Sequence, residues 1–530
     1  MSTATTLPGR ISPPATSIPT TARRIRPSND TSLRRGCATP WPRVATIPGS
    51  SVVVRWNGAL DLCPATSRAL PAHRSAGPPA SRAAPASRYC VWARQRRGEG
   101  TWVETSAGVQ RQLGLWGTTL SGVGIILGAG IYVLIGATAA LAGASIWASF
   151  LIGAVLAAAT GLSYAELASM FPHAGGTATY ARHAFGSRAG FLIGWLLEVM
   201  AVLAAAAVAI GFGNYAQAVI GVTPAASAGV LLLVMGSIAW LGVRETIAVT
   251  VVLTLVEAAG LFLVVGVGIP YLGSQSLTDT ATGFGGVLAG AALVFFAYTG
   301  FEQVVTLADE THDPTRTIPR ALLLAIGLTT ALYIAVSIVA VSVLPWRELA
   351  ASAAPLADVT RTAAGDRLAD AIVLIALFAT ANTVLLLLAT GARLAWGMAR
   401  QGLLPPAFQY LDRRRKTPSI AIVSVTGVAF LFAVSVDIGR VAQLSNFTLF
   451  AAFLVVNAAV LRLRLVAPDL PRPFRAGVSV RGLPVSAVFG MVVAAILLVR
   501  LDPLVLLGGL AATLAGLAIS VVALQHERPD

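Results

Sequence analysis

From Leu115 to its end the sequence falls into apolar runs of about 17–25 residues, the length that crosses a hydrocarbon core of about 30 Å. In lipid every backbone N–H and C=O must find its partner inside the protein, so runs of this kind leave little choice but helices. They lie at 115–142, 145–169, 189–215, 224–241, 247–273, 285–309, 320–344, 368–399, 418–436, 440–461, 483–500 and 503–524, which predicts an all-α, polytopic membrane protein with 12 transmembrane helices. Composition agrees: 56% of the 530 residues are hydrophobic, 12% are charged and mean hydropathy is +0.76, more apolar than a soluble domain carries.

The net charge of +15 is unevenly placed: 15 arginines before Trp102 face only Asp30, Asp61 and Glu99, and the remainder is nearly balanced. Such a distribution gives no nucleic-acid footprint on the membrane part. Residues 1–101 are rich in Pro, Ser, Thr, Ala and Arg without helical or strand periodicity, a composition that cannot bury a core, so they are expected to form a disordered basic tail ahead of a membrane domain at 102–530. The tail has no apolar h-region of a secretory signal and resembles a transit peptide in composition only. A second reading makes it an over-long gene start with translation beginning near Val103, because Lys416 is the sole lysine among 38 basic residues, as in a GC-rich genome. Cys37, Cys63 and Cys90 all fall in it at wide spacings that suit neither a disulfide framework nor zinc.

Arginines orient the spans. Arg96, Arg97 and Arg111 precede the first, Arg182 and Arg188 follow the second, and Arg244 follows the fourth. Arg316 and Arg320 follow the sixth, Arg413 to Lys416 the eighth, and Arg462, Arg464, Arg472, Arg475 and Arg481 the tenth. The opposite loops hold few bases, so both termini are expected to be cytoplasmic and the protein multi-pass in the cell membrane.

Within the first span, Gly128 and Gly130 flank Ala129, and five spans later Thr299 and Gly300 interrupt the sixth. Glycine costs about 1 kcal/mol relative to alanine in a helix interior. Paired interruptions in corresponding spans suggest helices broken at mid-membrane, where half-helix ends expose backbone to a ligand. Amides of Gly128, Ala129 and Gly130 suit a carboxylate. Freed carbonyls of Ile125 and Ile126, with those of Phe296, Ala297 and Thr299, suit an ammonium, and a site offering both suits an amino acid. The competing reading makes the glycines packing notches only.

These residues resemble the amino acid, polyamine and organocation transporter superfamily, and within it the cationic amino acid transporters and their bacterial relatives. GIILGAGIYVLIG is similar to its first-helix motif, and FPHAGGTATYARHAFGSRAGFLIGW to its loop between helices two and three. FFAYTGFEQVVTLADETHDPTRTIPRAL resembles its sixth helix and following loop, and GARLAWGMARQGLLP the end of its eighth. The matches spread over residues 112 to about 462. The resemblance implies two inverted five-helix repeats with helices one and six broken, two peripheral helices, and alternating access by a bundle of helices one, two, six and seven against a scaffold of three, four, eight and nine. Three departures stand out. Gly175, Gly176, Thr177, Ala178, Thr179, Tyr180 has one aromatic fewer than the family's loop motif, Glu302 stands where cationic transporters often have Asp, and Glu257 falls where a proton-coupled relative has a lysine.

Ionisable residues inside spans are functional candidates by default. Glu198 resembles a glutamate near the site of cationic transporters, with Val199 in place of a tyrosine; it either meets the substrate or bonds a neighbouring helix. Glu257 either carries a coupling proton or braces helices through Asn382. Glu166 reads as structural, and Asp309, Glu310 and Asp313 opposite Arg316 and Arg320 as an inner gate or a solvated network. Side-chain selectivity is expected from Glu198, Phe301, Glu302 and Asn382, with Gly300 at the second break. His173, His183 and His312 lack ligand spacing, so no metal is expected, and no cofactor. No Walker motif, HExxH or nucleophile elbow appears, which argues against an ATP-driven pump and an enzyme. The expected function is a secondary amino acid transporter, proton-coupled or exchanging. A permease for polyamines or other organic amines and a non-transporting amino acid receptor are the alternatives.

Overall fold

The computed structural model describes residues 113–171, 176–241, 246–400, 404–412, 415 and 417–525, together with strand segments 44–45, 53–56 and 59–62; of 246–252, 309, 522–525 and those strands it describes the backbone path only. The chain divides into two units, Met1–Trp102 and Val103–Asp530. In the first, β1 (Val44–Ala45), β2 (Val53–Trp56) and β3 (Ala59–Leu62) pair as an antiparallel meander. The expected disordered tail and its cysteines otherwise lie outside the described residues.

The second unit is helical. In chain order its helices are α1 (Leu115–Ile126), α2 (Gly130–Ala142), α3 (Ile146–Met170), α4 (Gly176–Phe185), α5 (Ser187–Ile220), α6 (Pro224–Leu241), α7 (Thr246–Gly268) and α8 (Gly283–Val294). There follow α9 (Pro314–Val343), α10 (Trp346–Ala351), α11 (Pro355–Ala364), α12 (Asp366–Arg400), α13 (Ser419–Ser435), α14 (Ile438–Val466), α15 (Val485–Val499) and α16 (Pro503–Gln525). Among the described residues nine helical stretches are long and apolar enough to cross a membrane, and α1, α13 and α15 are shorter apolar helices. The stretch Gly130–Met170 counts as one of the nine, but Gly143 at φ +67° turns the chain between α2 and α3. A side chain there would meet Asp279 O and Ala281 N at 2.6 Å, so both conformation and space require glycine.

Lipid tails are as apolar as leucine, so helices associate through close packing of small residues and buried polar bonds. The central helix α5 shows this: Leu203 to Ala209, with alanines at 204–207, is buried on every side, and 78% of its apolar window is buried against 22% for α16. Asn446 on α14 donates to the carbonyls of Ala292 and Leu293 on α8 at 2.8 and 2.9 Å. Asp437 caps α14 by accepting from the Arg440 N–H at 3.0 Å.

A buried ion cluster ties α3 to α14. Glu166 on α3 is held by Arg464 through two bonds, Nε to Oε1 at 2.9 Å and Nη2 to Oε2 at 2.6 Å, and its Oε2 also accepts the Ala476 N–H at 2.7 Å. Arg472 approaches at 3.5 Å. Satisfied on several sides, the carboxylate staples α3 to the end of α14 and the loop beyond, a structural use in keeping with its reading from sequence.

Candidate functional site

Both expected interruptions are present in the backbone. Helical structure stops after Ile126 and restarts at Gly130. The second interruption is more gradual: α8 tightens into a 3₁₀ segment at Phe295–Tyr298, breaks at Thr299 and Gly300, and continues as 3₁₀ from Phe301 to Glu310. Gly300 has φ +117°, and a Cβ on it would lie 2.7 Å from Ile125 O, so only glycine fits against the first break. The breaks touch again at Gly130, where a Cβ would stand 2.7 Å from Ala297 Cα.

Tyr333 of α9, fully buried, bridges them. Its hydroxyl lies 3.0 Å from Ile126 O and 3.0 Å from Ala297 O, one carbonyl from each broken helix. One O–H proton shared between two oxygens leaves acceptor capacity at the place where an ammonium was expected. The expected amides are partly engaged. Gly128 N–H donates back to Ile126 O at 2.7 Å, a γ-turn, and Ala129 N–H donates to Thr383 Oγ1 of α12 at 3.3 Å. Phe296 O accepts the Thr299 N–H at 3.1 Å. A ligand carboxylate on these amides would therefore exchange with weak internal acceptors. Ile125, Gly128, Thr299 and Thr383 are half-buried while Ile126, Ala129, Gly130 and Ala297 are buried, and a Cβ on Gly128 would make only ordinary contact with Thr383 of α12 at 3.6 Å.

Glu302 does not stand free. Its Oε2 accepts the Gly300 N–H at 2.9 Å and its Oε1 has no hydrogen-bond partner among the described residues, so the carboxylate caps its own break. Phe301 is fully buried, edge-on to Tyr164 with ring centroids 5.8 Å apart and 5.2 Å from Phe453, an aromatic support beneath the site. Glu198 on α5 is buried with Oε2 unpartnered among the described residues, and its Oε1 lies 3.5 Å from where a Cβ on Gly391 would be. Glu257 on α7 is 2% exposed with Oε1 unpartnered among the described residues. Its backbone carbonyl accepts the Tyr132 O–H at 2.8 Å, and the Tyr132 carbonyl accepts the Tyr215 O–H at 3.1 Å. Two tyrosines thus tie α2 to α7 and α5. Asn382 on α12 is buried beside Thr383 and is itself engaged.

Among the described residues the end of the second broken helix meets the start of the first through backbone bonds and a pair of hydroxyls. Leu113 N–H donates to Glu310 O at 3.0 Å, His312 N–H to Leu113 O at 2.9 Å, and the Thr118 and Thr311 hydroxyls lie 3.2 Å apart. Of the expected charged network, Asp313 and Arg316 form an exposed pair at 3.9 Å and Arg320 is exposed. The Asp309 side chain, His173, Gly175, Arg244, Arg413, Arg414 and Lys416 lie outside the described residues. His183 stacks on Phe171 with centroids 4.4 Å apart.

Sequence reasoning missed Tyr333, Thr383, Tyr132 and Tyr215. A tyrosine inside an apolar helix needs a hydrogen-bond partner, and that was the available signal.

Fold and site together define a multi-pass membrane protein whose helices meet at two facing backbone breaks. Its sequence matches the amino acid permease family over residues 113–512, and the chain belongs to that family, one of transporters and not of enzymes. It is similar to the branched-chain amino acid permease BcaP of Bacillus subtilis, 30% identical over 389 residues that cover 69% of this chain and 84% of the relative. It is similar also to the methylthioribose transporter of the same organism, 32% identical, covering 70% of this chain and 85% of that one. Cationic amino acid transporter 2, vacuolar, of Arabidopsis thaliana is 30% identical over 66% of this chain and 59% of its own length. The family resemblance drawn from the motifs is thus established.

Proposed function

We propose that this protein is a secondary transporter of amino acids that works by alternating access in the cell membrane, with both termini cytoplasmic. The observation that carries the reading is the meeting of two interrupted helices, Gly130 against Ala297, with the Tyr333 hydroxyl 3.0 Å from a carbonyl of each. Twelve spans follow if α1 and α2 form the first and α8 with its 3₁₀ continuation the sixth. Spans one to five and six to ten then make two inverted repeats, with α15 and the sparsely buried α16 peripheral.

The α-ammonium of the substrate takes the carbonyls of Ile125, Ile126, Phe296, Ala297 and Thr299, and its carboxylate the amides of Gly128, Ala129 and Gly130. Backbone reads what all amino acids share, so side-chain choice falls to Glu198 and Asn382. Glu302 acts as a positioning residue that fixes Gly300. The names of the relatives span branched-chain and cationic amino acids and methylthioribose, so the substrate side chain is left to experiment. Glu257 serves as the proton carrier if transport is proton-coupled, and exchange of one amino acid for another needs no such carrier. The Leu113–Glu310 pairing is the contact an inner gate would open.

The test is counterflow in proteoliposomes preloaded with each amino acid and with common polyamines. Accumulation of labelled amino acid against its preload supports transport, and a chain shortened by residues 1–101 should do the same, since the transport machinery is placed in 102–530. Saturable binding without counterflow for any amino acid would make the protein a receptor and end the proposal.

A further inference from the structure

A groove runs along the outer face of the bundle between α6 and α13. Val230, Leu233 and Trp240 on α6 and Val423, Phe430 and Val434 on α13 line it. Two adjoining hollows of about 350 and about 320 Å³ share Leu233 and Phe430 and make it continuous. From Ala225 to Trp240 it extends about 22 Å at 1.5 Å per residue, longer than one leaflet's share of the hydrocarbon core, about 15 Å. Its walls face outward: Val230 is 62% exposed, Leu233 56% and Val423 68%. A depression in this face is filled in a bilayer by an acyl chain or by another protein.

One end of the groove is chemically distinct. The Arg415 guanidinium stacks over the Trp240 ring, 3.8 Å from its centroid, while Trp240 Nε1 donates to Ser419 Oγ at 3.0 Å and Thr417 Oγ1 donates to Trp240 O at 3.1 Å. The Trp240 ring, itself 39% exposed, is thus fixed at the groove mouth with an exposed cation on it. Asp412 accepts the Arg415 N–H at 2.8 Å, and in the sequence Asp412–Lys416 that one carboxylate stands against four basic residues. A tryptophan and cations at the end of an apolar channel match the order headgroup, interface, tail along a membrane normal.

We propose that this groove is a binding site for an anionic phospholipid, with one acyl chain along α6 and α13 and the phosphate at Arg415. A second copy of this chain fits less well. Closed two-fold pairing about the membrane normal would bring two Arg415-bearing turns to the same level, where like charges repel.

Native mass spectrometry of the purified protein in mild detergent, offered equal phosphatidylglycerol and phosphatidylcholine of identical chains, tests the assignment. Wild type should retain phosphatidylglycerol about fivefold or more over phosphatidylcholine, roughly the preference one basic contact gives. Arg415→Ala should lose that preference while still carrying either lipid. Gly427 also lines the groove, and a Cβ on it meets nothing within 4 Å, so Gly427→Leu starts its side chain into open groove and should lose both adducts. Equal retention of the two lipids by wild type, an unchanged preference in Arg415→Ala, or undiminished lipid in a folded Gly427→Leu would each overturn the proposal. So would a wild-type dimer that Gly427→Leu dissociates, which would give the groove to a second copy.

Discussion

Gly128 and Gly130 lie two residues apart, and their alanine variants should separate helix packing from ligand approach. At Gly130 the added Cβ would stand 2.7 Å from Ala297 Cα and 3.2 Å from Ala297 Cβ. The nearest atom is backbone of the other broken helix, which cannot swing aside as a side-chain tip can. Overpacking of this kind costs about 1–3 kcal/mol. Alanine recovers at most about 1 kcal/mol of helix propensity, and less at the first residue of α2, so the steric cost wins. A net loss of about 1–2 kcal/mol is a roughly 5- to 30-fold fall in the folded-to-unfolded ratio. At Gly128 the nearest atoms are Thr383 Cγ2 and Oγ1 at 3.6 and 3.7 Å, ordinary contact, so stability should stay within about 0.5 kcal/mol. The new methyl would nevertheless enter the half-buried space beside the break and weaken substrate binding about tenfold, or about 1.4 kcal/mol. Thermal melting of the purified variants without ligand, alongside binding of the amino acid found by counterflow, reads both effects. Gly130→Ala as stable as wild type, or Gly128→Ala with wild-type affinity, would refute the reasoning.

Tyr333→Phe leaves the Ala297 carbonyl without its hydroxyl partner and should cost about 1–3 kcal/mol in the ligand-free protein. A substrate ammonium then becomes the main donor, so the melting shift on adding amino acid should exceed that of wild type; an equal or smaller shift removes Tyr333 from the site. Glu166→Gln leaves Arg464 and Arg472 facing a neutral amide and should cost about 3–5 kcal/mol, read as early melting and loss of monodisperse protein. Wild-type melting would show the cluster to be dispensable. Glu257→Gln should abolish acid-stimulated net uptake in sodium-free medium while sparing exchange, whereas Glu198→Gln should change which substrates compete. A wild-type pH profile in Glu257→Gln would leave that residue as a brace.

The two breaks could be read from sequence because their cause is local: glycines flanking Ala129, and Thr299 with Gly300, weaken a helix wherever the chain carries them. What crosses between the breaks could not. Tyr333 is 207 residues from Ile126, and Thr383 is 254 from Ala129, so no spacing rule pairs them. Gly130 shows the limit inside a motif. Its sequence suits both a ligand-facing break and a packing notch, and only the fold shows that a Cβ there would meet Ala297 Cα while one on neighbouring Gly128 has room. Charge patterning at Asp309–Arg320 suits an inner gate or a solvated network, and the exposed Asp313–Arg316 pair is of the solvated kind, while the backbone pairing of Glu310 and His312 to Leu113 is invisible to any count of charges. The bond from the Gly300 N–H to Glu302 Oε2 is likewise absent from any spacing rule, since sequence offers Glu302 as a selectivity residue without showing that it also caps its own break.

In the proposed transport mechanism the two breaks hold the α-amino and α-carboxyl groups of one amino acid. Competition against uptake of the transported amino acid by its methyl ester, which lacks the carboxylate, and by the matching α-hydroxy acid, which lacks the ammonium, tests it most directly. Each analogue should compete at least about a hundredfold more weakly than the parent, two charge-assisted contacts being lost at about 1.5–3 kcal/mol each. Either analogue competing as well as the amino acid itself would contradict it.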